Sequence, residues 1–463
     1  MSTFKFYTLG CKLNFAESSS IGKTLIENGY VKAKANEKAD VCIVNTCTVT
    51  DNADKKCRSA INRIIRENPN AFLIVTGCYA QLASERLAAI PGVDLVLGAN
   101  DKFIIPEKLK TQDTATVVSE TKKMTPFYGC YSHEDRTRHF LKVQDGCDYF
   151  CSYCAIPFAR GRSRNGSIEE IVRNAEKIAS EGGKEIILTG VNIGDFGRST
   201  GESFIDLLKA LDCLETPMRQ AARNLHKSFC NDSDCIATAP HFGNIQNATA
   251  ESSVNEARGE RLEAKGMDYR IRISSCEPNL LTDEIIDFVA HSKHFAPHFH
   301  IPLQSGSNEV LKIMKRRYTR ELFEERVKHI KQVMPHAFIG VDCMVGVRGE
   351  TEECFNDYVE FIKRLDVSQL HVFTYSERAN TRMLELDVCI VPKAERQRRS
   401  KILHEVSEEK TKAFYAKHAG RKAVVLWESK KGGEQMSGFT ENYIKVYGPY
   451  DKTKINCFEV IRR

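Results

Sequence analysis

The sequence predicts an α/β protein in three parts: an N-terminal open parallel α/β sheet, a central partial (β/α)6 barrel and a small C-terminal antiparallel β-barrel. Three observations predict it. Short β-branched runs alternate with helical stretches from Phe4 to about Gly98, a second alternating series begins near Phe140, and residues 421–463 switch to period-two patterning.

At 463 residues the chain has room for two to four domains, each with its own core. It is 42% apolar and 28% charged with 13 prolines and shows no repeating period, which excludes wholesale disorder and repeat architectures. No apolar run approaches the roughly 18 residues of a membrane-spanning helix, and residues 1–10 carry neither a basic region nor a small-residue cleavage site. A soluble cytoplasmic protein without a membrane partner is the expectation. The formal charge of +6 is modest, so only its local distribution bears on an anionic partner. Seventeen cysteines without a secretion signal point to metal or redox chemistry rather than disulfides.

In the first series, residues 4–9, 41–45, 72–76 and 93–97 read as strands, separated by helices over 16–28, 53–67 and 81–89. Residues 101–138 read as the last helix of this unit followed by a polar connector, which sets domains of 1–125 and 126–391. The central series has strands at 140–143, 185–189, 270–274, 299–303, 338–344 and 370–375, interleaved with helices over 167–180, 281–290, 320–333 and 352–364. Six βα units make a barrel that is incomplete. Between residues 216 and 265 the chain turns rich in Asn, Ala and Ser, the signature of an inserted mobile loop. Cys230 and Cys235 with His226 and His241 lie in it, but their spacing lacks the usual order of a zinc site.

A charged helix over 392–416, with Arg396, Arg398, Arg399, Lys401, Lys410 and Lys412, reads as a solvated linker into a third unit, 392–463. That unit has strands at 424–427, 443–446 and 458–461, with Gly432, Gly433, Gly438 and Gly448 as turn signals. Nine Lys/Arg face five Asp/Glu over residues 421–463, and Phe439, Tyr443 and Tyr447 offer stacking faces. Composition alone leaves two readings open, an RNA grip or core aromatics among ordinary surface lysines.

The sharpest chemical feature is Cys147-Asp-Tyr-Phe-Cys151-Ser-Tyr-Cys154, in a loop directly after the first central strand. Three thiolates can hold three corners of a cubane iron–sulfur cluster and leave one iron open for a small-molecule chelator, whereas a structural zinc takes a fourth protein ligand. This loop resembles that of the radical S-adenosylmethionine superfamily, down to the aromatic Tyr153 before the last cysteine. The resemblance implies that the open iron binds the amino and carboxylate groups of S-adenosylmethionine, and that an electron from the cluster cleaves it to a 5′-deoxyadenosyl radical.

Other polar groups collect at the carboxyl ends of the central strands, where barrel sites are built. They are Thr189, Gly190 and Asn192 after the second strand, Ser274, Ser275 and Glu277 after the third, and Gln304 after the fourth. Thr189, Gly190, Asn192, Ser274, Glu277 and Gln304 are, with Tyr153, the candidate cofactor-binding residues; singly, each is also of a kind that caps a helix.

Cys11, Cys47 and Cys78 each lie just past a strand of the N-terminal sheet, at its carboxyl edge. Successive loops converge at that edge in open parallel sheets, so the three form a candidate second site; taken alone, they are equally read as buried structural thiols. Gly10, Asn14, Asn45, Thr46 and Gly77 flank them.

Together, Gly10-Cys11-Lys12-Leu13-Asn14, Asn45-Thr46-Cys47, Gly77-Cys78, the Cys147 loop, Leu303-Gln304-Ser305-Gly306 and Gly438-Phe439-Thr440-Glu441-Asn442-Tyr443 resemble the methylthiotransferase family across nearly the whole chain, the last run being similar to its RNA-binding TRAM domain. The form Thr8-Leu9-Gly10-Cys11-Lys12-Leu13-Asn14 is most similar to the branch acting on threonylcarbamoyladenosine at position 37 of tRNA; isopentenyladenosine in tRNA and a ribosomal-protein aspartate are the alternative substrates of the same chemistry, and a non-catalytic iron–sulfur tRNA-binding protein is the alternative from another class. Two positions depart from the family pattern, Val347-Arg348 and Ala379-Asn380.

The resemblance implies an enzyme that replaces an aromatic C–H by C–S–CH3, using two [4Fe–4S] clusters. Cys147, Cys151 and Cys154 hold the radical-generating cluster; Cys11, Cys47 and Cys78 hold an auxiliary one that carries the sulfur. One S-adenosylmethionine supplies the methyl group and another the radical. The six cysteines are then both metal ligands and the catalytic centre, and the two clusters share one cavity. The implied partners are the tRNA anticodon loop and an electron donor, with the chain a monomer. The target base is splayed out, with Tyr443 of the terminal unit and Arg160, Arg162 and Arg164 gripping RNA; for the arginines a structural ion-pair role is equally open.

Overall fold

The computed structural model describes residues 1–34, 36–111, 113–132, 137–214, 268–428 and 434–463. The segment 216–265, with its His226, Cys230, Cys235 and His241, lies outside the described residues, as do Gly432 and Gly433.

The N-terminal unit is a five-stranded sheet, all parallel, in the order β2-β1-β3-β4-β5: β1 (Thr3–Thr8), β2 (Val31–Lys32), β3 (Val41–Thr46), β4 (Phe72–Gly77) and β5 (Leu95–Val96). β3 is buried along its whole length, as a central strand covered on both faces must be. Helices α1 (Lys12–Glu27) and α2 (Asp51–Glu67) follow β1 and β3, and the single helix expected over 81–89 is two short ones, α3 (Cys78–Leu82) and α4 (Ser84–Ala88). The two-residue β2 is too short to leave a periodic signal in the sequence. After α5 (Ile105–Thr111) the connector is stitched to both sheets, Val117 pairing with Leu97 and Tyr131 with Leu141.

The central unit has two three-stranded parallel sheets. One is built of β6 (Arg138–Lys142), β9 (Glu185–Thr189) and β10 (Arg270–Ile273), the other of β11 (His298–Gln304), β12 (Phe338–Val345) and β13 (Gln369–Thr374). Bridges Ile271–Phe295 and Ser275–His300 carry the first onto the second. Between β6 and β9, β7 (Gln144–Asp145) and β8 (Arg164–Asn165) pair as a short antiparallel ribbon that encloses the cysteine loop and α6 (Ile156–Arg160). Helices α7 (Ile168–Ser180) and α8 (Phe204–Asp212) start at Ser167 and Ser203, each of whose hydroxyls accepts an N–H of the first turn; Thr282, Thr319 and Thr351 do the same for later helices.

The inner face of the first central sheet is covered by the N-terminal unit, since Phe15 and Ala16 of α1 pack against Phe140 and Ile187. The helix Lys393–Lys417, expected as a solvated linker, packs on the central unit instead. Leu403 and Val406 join its core, and Arg399 is buried against Glu350 at 2.7 Å.

The C-terminal unit is a four-stranded antiparallel sheet in the order β16-β15-β14-β17: β14 (Lys422–Glu428), β15 (Gln435–Thr440), β16 (Lys445–Pro449) and β17 (Phe458–Arg462). Gly438 and Gly448, expected at turns, lie within strands. A Cβ on Gly438 would stand 2.5 Å from the Leu426 carbonyl, and one on Gly448 3.0 Å from the Trp427 ring, so these glycines permit close packing rather than reversal.

This sheet docks on residues at the amino ends of the central strands. Glu185 is fully buried and accepts from Arg270 Nε at 2.5 Å and Arg272 Nε at 2.9 Å. The other ends of the same guanidiniums donate to the carbonyls of Val424, Phe439, Thr440 and Glu441. Burial would raise the Glu185 carboxyl, but Arg270, Arg272 and Arg138 overrule it and hold it at about 2, below its ordinary 4.5. Its stabilising effect is therefore complete above about pH 4.5 and lost as the pH falls toward 2. Glu185→Gln strands two buried guanidiniums and is expected to cost about 3–5 kcal/mol. Urea unfolding should show the loss at pH 7, and the difference between variant and wild type should shrink on acidification from pH 4.5 toward 2.

Candidate iron–sulfur centre

Three loops at the carboxyl edge of the N-terminal sheet bring Cys11, Cys47 and Cys78 together. Cys11 is the N-cap residue of α1, is exposed and makes no capping bond, which leaves its thiol free. Asn14 binds the loops to each other by donating to the carbonyls of Leu9 and Thr46 at 2.9 and 3.0 Å. Thr46 Oγ1 donates to Thr76 O at 2.6 Å and accepts from Ala80 N, while Asn45 donates to Asn14 O and Ser18. Gly10 and Gly77 have φ of +98° and +100°; a Cβ on Gly10 would meet Cys47 Sγ at 2.8 Å, and one on Gly77 the Thr46 carbonyl at 2.5 Å. Only glycine allows this approach.

The second triad sits at the carboxyl end of β6. Gly146 has φ +70°, and a Cβ there would lie 1.9 Å from Arg162 O; Cys147 N donates to Gly161 O at 3.1 Å, closing the base of the loop. Gln144 pins the neighbouring loop, its Oε1 accepting from Val191 N and Asn192 N while its Nε2 donates to Ser163.

Within each triad the thiols sense one another. Burial pushes the Cys47 thiol up to about 12, reinforced by Cys78 and Cys11, and Cys154 likewise to about 12, reinforced by Cys151. Cys147 is raised by burial and by Cys154 and Cys151. Thiols so raised are ones that iron must deprotonate on binding. Among the described residues no group of three or more His, Cys, Asp or Glu side chains is placed as the ligands of a single metal ion. A cubane spreads its thiolates over separate corners, and this donor set suits it.

The helix that follows the second triad's loop, α6, reaches the first triad. Arg160, at the end of α6, donates from Nε to Cys78 Sγ at 3.1 Å. On the other side, Arg378, just after β13, donates to Asp54 at 2.8 Å and to Thr48, and Ser376 accepts from Asp51 N. The carboxyl edge of the N-terminal sheet therefore lies against the carboxyl-end loops of the central sheets.

The other expected site residues fall as follows. The Tyr153 hydroxyl accepts from Arg316, and its ring packs beside Val310 and Met383. Thr189 is buried, its carbonyl accepting from Val143 N; a Cβ on Gly190 would meet Gln144 at 2.9 Å. Asn192 is buried with neither amide atom paired, an unmet demand of the kind a ligand satisfies. Ser274, just past the end of β10, is buried, and Glu277 ion-pairs with Arg316. Gln304 sits at a bulge in β11 with φ +64°, strain of a sort that recurs at ligand sites.

Three of the four residues expected to grip RNA are turned inward. Arg160 and Arg164 are buried in ion pairs with Glu17 and Asp145 and cannot reach a phosphate, whereas Arg162 is 69% exposed. Tyr443 is half-buried, stacked on Phe439 at 4.8 Å and packed against His298 and Phe338, so it docks the terminal sheet. Tyr447 is 62% exposed, with Lys445 5.1 Å from its ring centre.

Arg316 was not legible in the sequence as a site residue. Nη1 donates to Cys151 Sγ at 3.1 Å and Nε to Tyr318 at 3.0 Å. Its only signal was the run Lys315-Arg316-Arg317, which reads as surface. The departures from the family pattern are absorbed locally: Val347 is buried in the cluster around Met314, Arg348 pairs with Glu377 at 2.8 Å, and Asn380 takes φ +63°, the left-handed conformation a glycine would supply.

Residues 3–98 match the model of Uncharacterized protein family UPF0004, and residues 141–230 and 238–362 that of the Radical SAM superfamily. The chain is 34% identical to "Threonylcarbamoyladenosine tRNA methylthiotransferase MtaB" of Bacillus subtilis, covering 96% of this chain and 90% of the relative. It is 33% identical to the protein of the same name in Aquifex aeolicus, covering 95% of each. To "tRNA-2-methylthio-N(6)-dimethylallyladenosine synthase" of Pelotomaculum thermopropionicum it is 28% identical over 95% of this chain and 89% of that relative. Among solved structures, the radical S-adenosylmethionine methyltransferase TsrM of Kitasatospora setae, with cobalamin and a [4Fe-4S] cluster bound, matches 81% of this chain and 75% of its own at TM-score 0.47 and 14% identity.

Gly10→Ala should displace the Cys47 thiol and leave the Cys147 loop untouched. After anaerobic reconstitution, iron analysis is expected to find about half the wild-type iron, with the circular dichroism spectrum unchanged.

Proposed function

The chain belongs to the radical S-adenosylmethionine methylthiotransferase family, and from that premise we propose that it converts threonylcarbamoyladenosine at position 37 of tRNA to the 2-methylthio derivative. The observation that carries the reading is the Arg160–Cys78 bond, because transfer of sulfur to a base requires both cysteine triads to serve one cavity. The greater identity to the threonylcarbamoyladenosine enzymes, 34% and 33% against 28%, favours that base over the dimethylallyl one.

In this reading residues 1–125 are the methylthiotransferase domain, 126–391 a partial (β/α)6 radical S-adenosylmethionine barrel, and 392–463 a linker helix with a TRAM-like RNA-binding sheet. Cys147, Cys151 and Cys154 hold one [4Fe–4S] cluster and Cys11, Cys47 and Cys78 a second. The clusters and S-adenosylmethionine, when bound, supply the one-electron chemistry that side chains lack. The protein's own residues position. Arg316 donates to Cys151 and fixes Glu277 at the rim, while Gln144 holds the Thr189–Asn192 loop so that the unpaired Asn192 amide is presented to a ligand.

Tyr447, Tyr450 and Arg162 remain accessible for RNA. The terminal sheet docks at the amino ends of strands four to eight residues long, about 13–26 Å from their carboxyl ends, so the RNA would run along the side of the central sheets to present its base. An external reductant and a sulfur donor complete the cycle. Among the described residues no helix is long and apolar enough to cross a membrane.

Mass spectrometry of tRNA nucleosides tests the assignment. Cells deleted for this chain are expected to lose 2-methylthio-threonylcarbamoyladenosine and accumulate its unthiolated precursor. An unchanged level overturns the assignment, and loss of the 2-methylthio-isopentenyl nucleoside instead would reassign the substrate.

A further inference from the structure

Arg160 was a candidate for phosphate contact, yet it is 2% exposed and all five of its N–H donors are used inside the protein. Nη1 donates to Glu17 at 3.0 Å and Asp145 at 2.9 Å, Nη2 to Asn14 at 2.7 Å and Glu17 at 3.1 Å, and Nε to Cys78 Sγ at 3.1 Å. Four of these bonds have oxygen acceptors whose positions are fixed by α1 and β7. The fifth ends on sulfur.

The surrounding charge does not balance. Glu17 also pairs with Lys102 and Lys142, and Asp145 with Lys142 and Arg164. Among the described residues two carboxylates thus face four cations, an excess of two positive charges among side chains no more than 7% exposed. A neutral thiol offers that excess nothing, whereas thiolates on an iron–sulfur cluster bring negative charge to the one acceptor of Arg160 that is not already an oxygen.

α6 gives the contact a second consequence. Its five residues begin at Ile156, two after Cys154, and at 1.5 Å per residue they span about 7 Å before Arg160. Gly161, at φ +74°, then turns the chain back, where a Cβ would meet Thr121 O at 2.7 Å. A five-residue helix, with Pro157, Ala159 and Arg160 buried, therefore joins the Cys147 loop to its contact with Cys78.

We propose that Arg160 is a positioning residue for the auxiliary cluster, its Nε–H bonded to the Cys78 thiolate so that it sets that cluster's reduction potential and its separation from the radical-generating one. This rests on the reading that Cys11, Cys47 and Cys78 hold a cluster. A charged donor on a ligand sulfur stabilises the more negative, reduced state and so raises the potential. Arg316 makes the equivalent bond to Cys151, so each triad has its own guanidinium and a change at residue 160 acts on one cluster.

The test uses two full-length backgrounds, reconstituted anaerobically: Cys147→Ala/Cys151→Ala/Cys154→Ala, which leaves the auxiliary triad, and Cys11→Ala/Cys47→Ala/Cys78→Ala, which leaves the other. In the first, Arg160→Gln is expected to shift the potential in a redox titration negative and alter the electron paramagnetic resonance spectrum at unchanged iron content, with Arg160→Lys recovering part of the shift. In the second, neither changes. Iron in the first background with no shift overturns the role of Arg160 alone, and no iron there overturns the auxiliary cluster itself. Should Arg160→Gln fail to fold, the first background with native Arg160, grown on arginine labelled with 15N in the guanidinium, decides: a 15N hyperfine coupling to the reduced cluster is expected, and its absence overturns the proposal.

Discussion

Buried charge that is not neutralised locally has to be neutralised by something else, and in this protein that requirement holds the N-terminal and central units together. Glu17 on α1 and Asp145 beside the cysteine loop are both buried; Lys142 and Arg160 of the central unit bind Glu17 across the seam, and the same two cations, with Arg164, bind Asp145. Removing a partner from such a set costs far more than a surface ion pair would contribute. The set therefore fixes the orientation of α1, and with it the loop bearing Cys11, relative to β6 and the loop bearing Cys147.

That orientation follows from the direction of the strands. Both α/β units have parallel sheets, so each gathers its loops at a carboxyl edge, and the two edges are apposed through α6 on one side and Arg378 on the other. The opposite ends of the central strands are closed by the C-terminal sheet, through the Glu185–Arg270–Arg272 cluster. The chain thus has its cysteine triads at one end of the central strands and a docked antiparallel sheet at the other, each fastened by buried ions.

Much of this was legible in the sequence, because parallel strands and their loops leave local signals. The β-branched runs at 41–45 and 72–76, the Cys-x3-Cys-x2-Cys spacing and the positions of Cys11, Cys47 and Cys78 just past a strand are such signals. The misreadings concern what local text cannot carry. Arg160 and Arg164 look like a basic stripe, but their side-chain partners are 15 to 146 residues away in sequence. Tyr443 looked like a stacking platform because its packing partners, His298 and Phe338, lie in another unit. Gly438 looked like a turn because a strand glycine needed for close backbone approach has the same text as a reversal. Arg316 was invisible, since a basic run beside a helix end is usually surface.

The central claim is that two incompletely ligated iron centres open onto one space. An anaerobic crystal structure of the reconstituted enzyme with S-adenosylmethionine tests it most directly. The account predicts one cubane on Cys147, Cys151 and Cys154 and another on Cys11, Cys47 and Cys78, their unligated irons facing a common cavity. A single cubane, or two whose open irons face separate cavities, would contradict it.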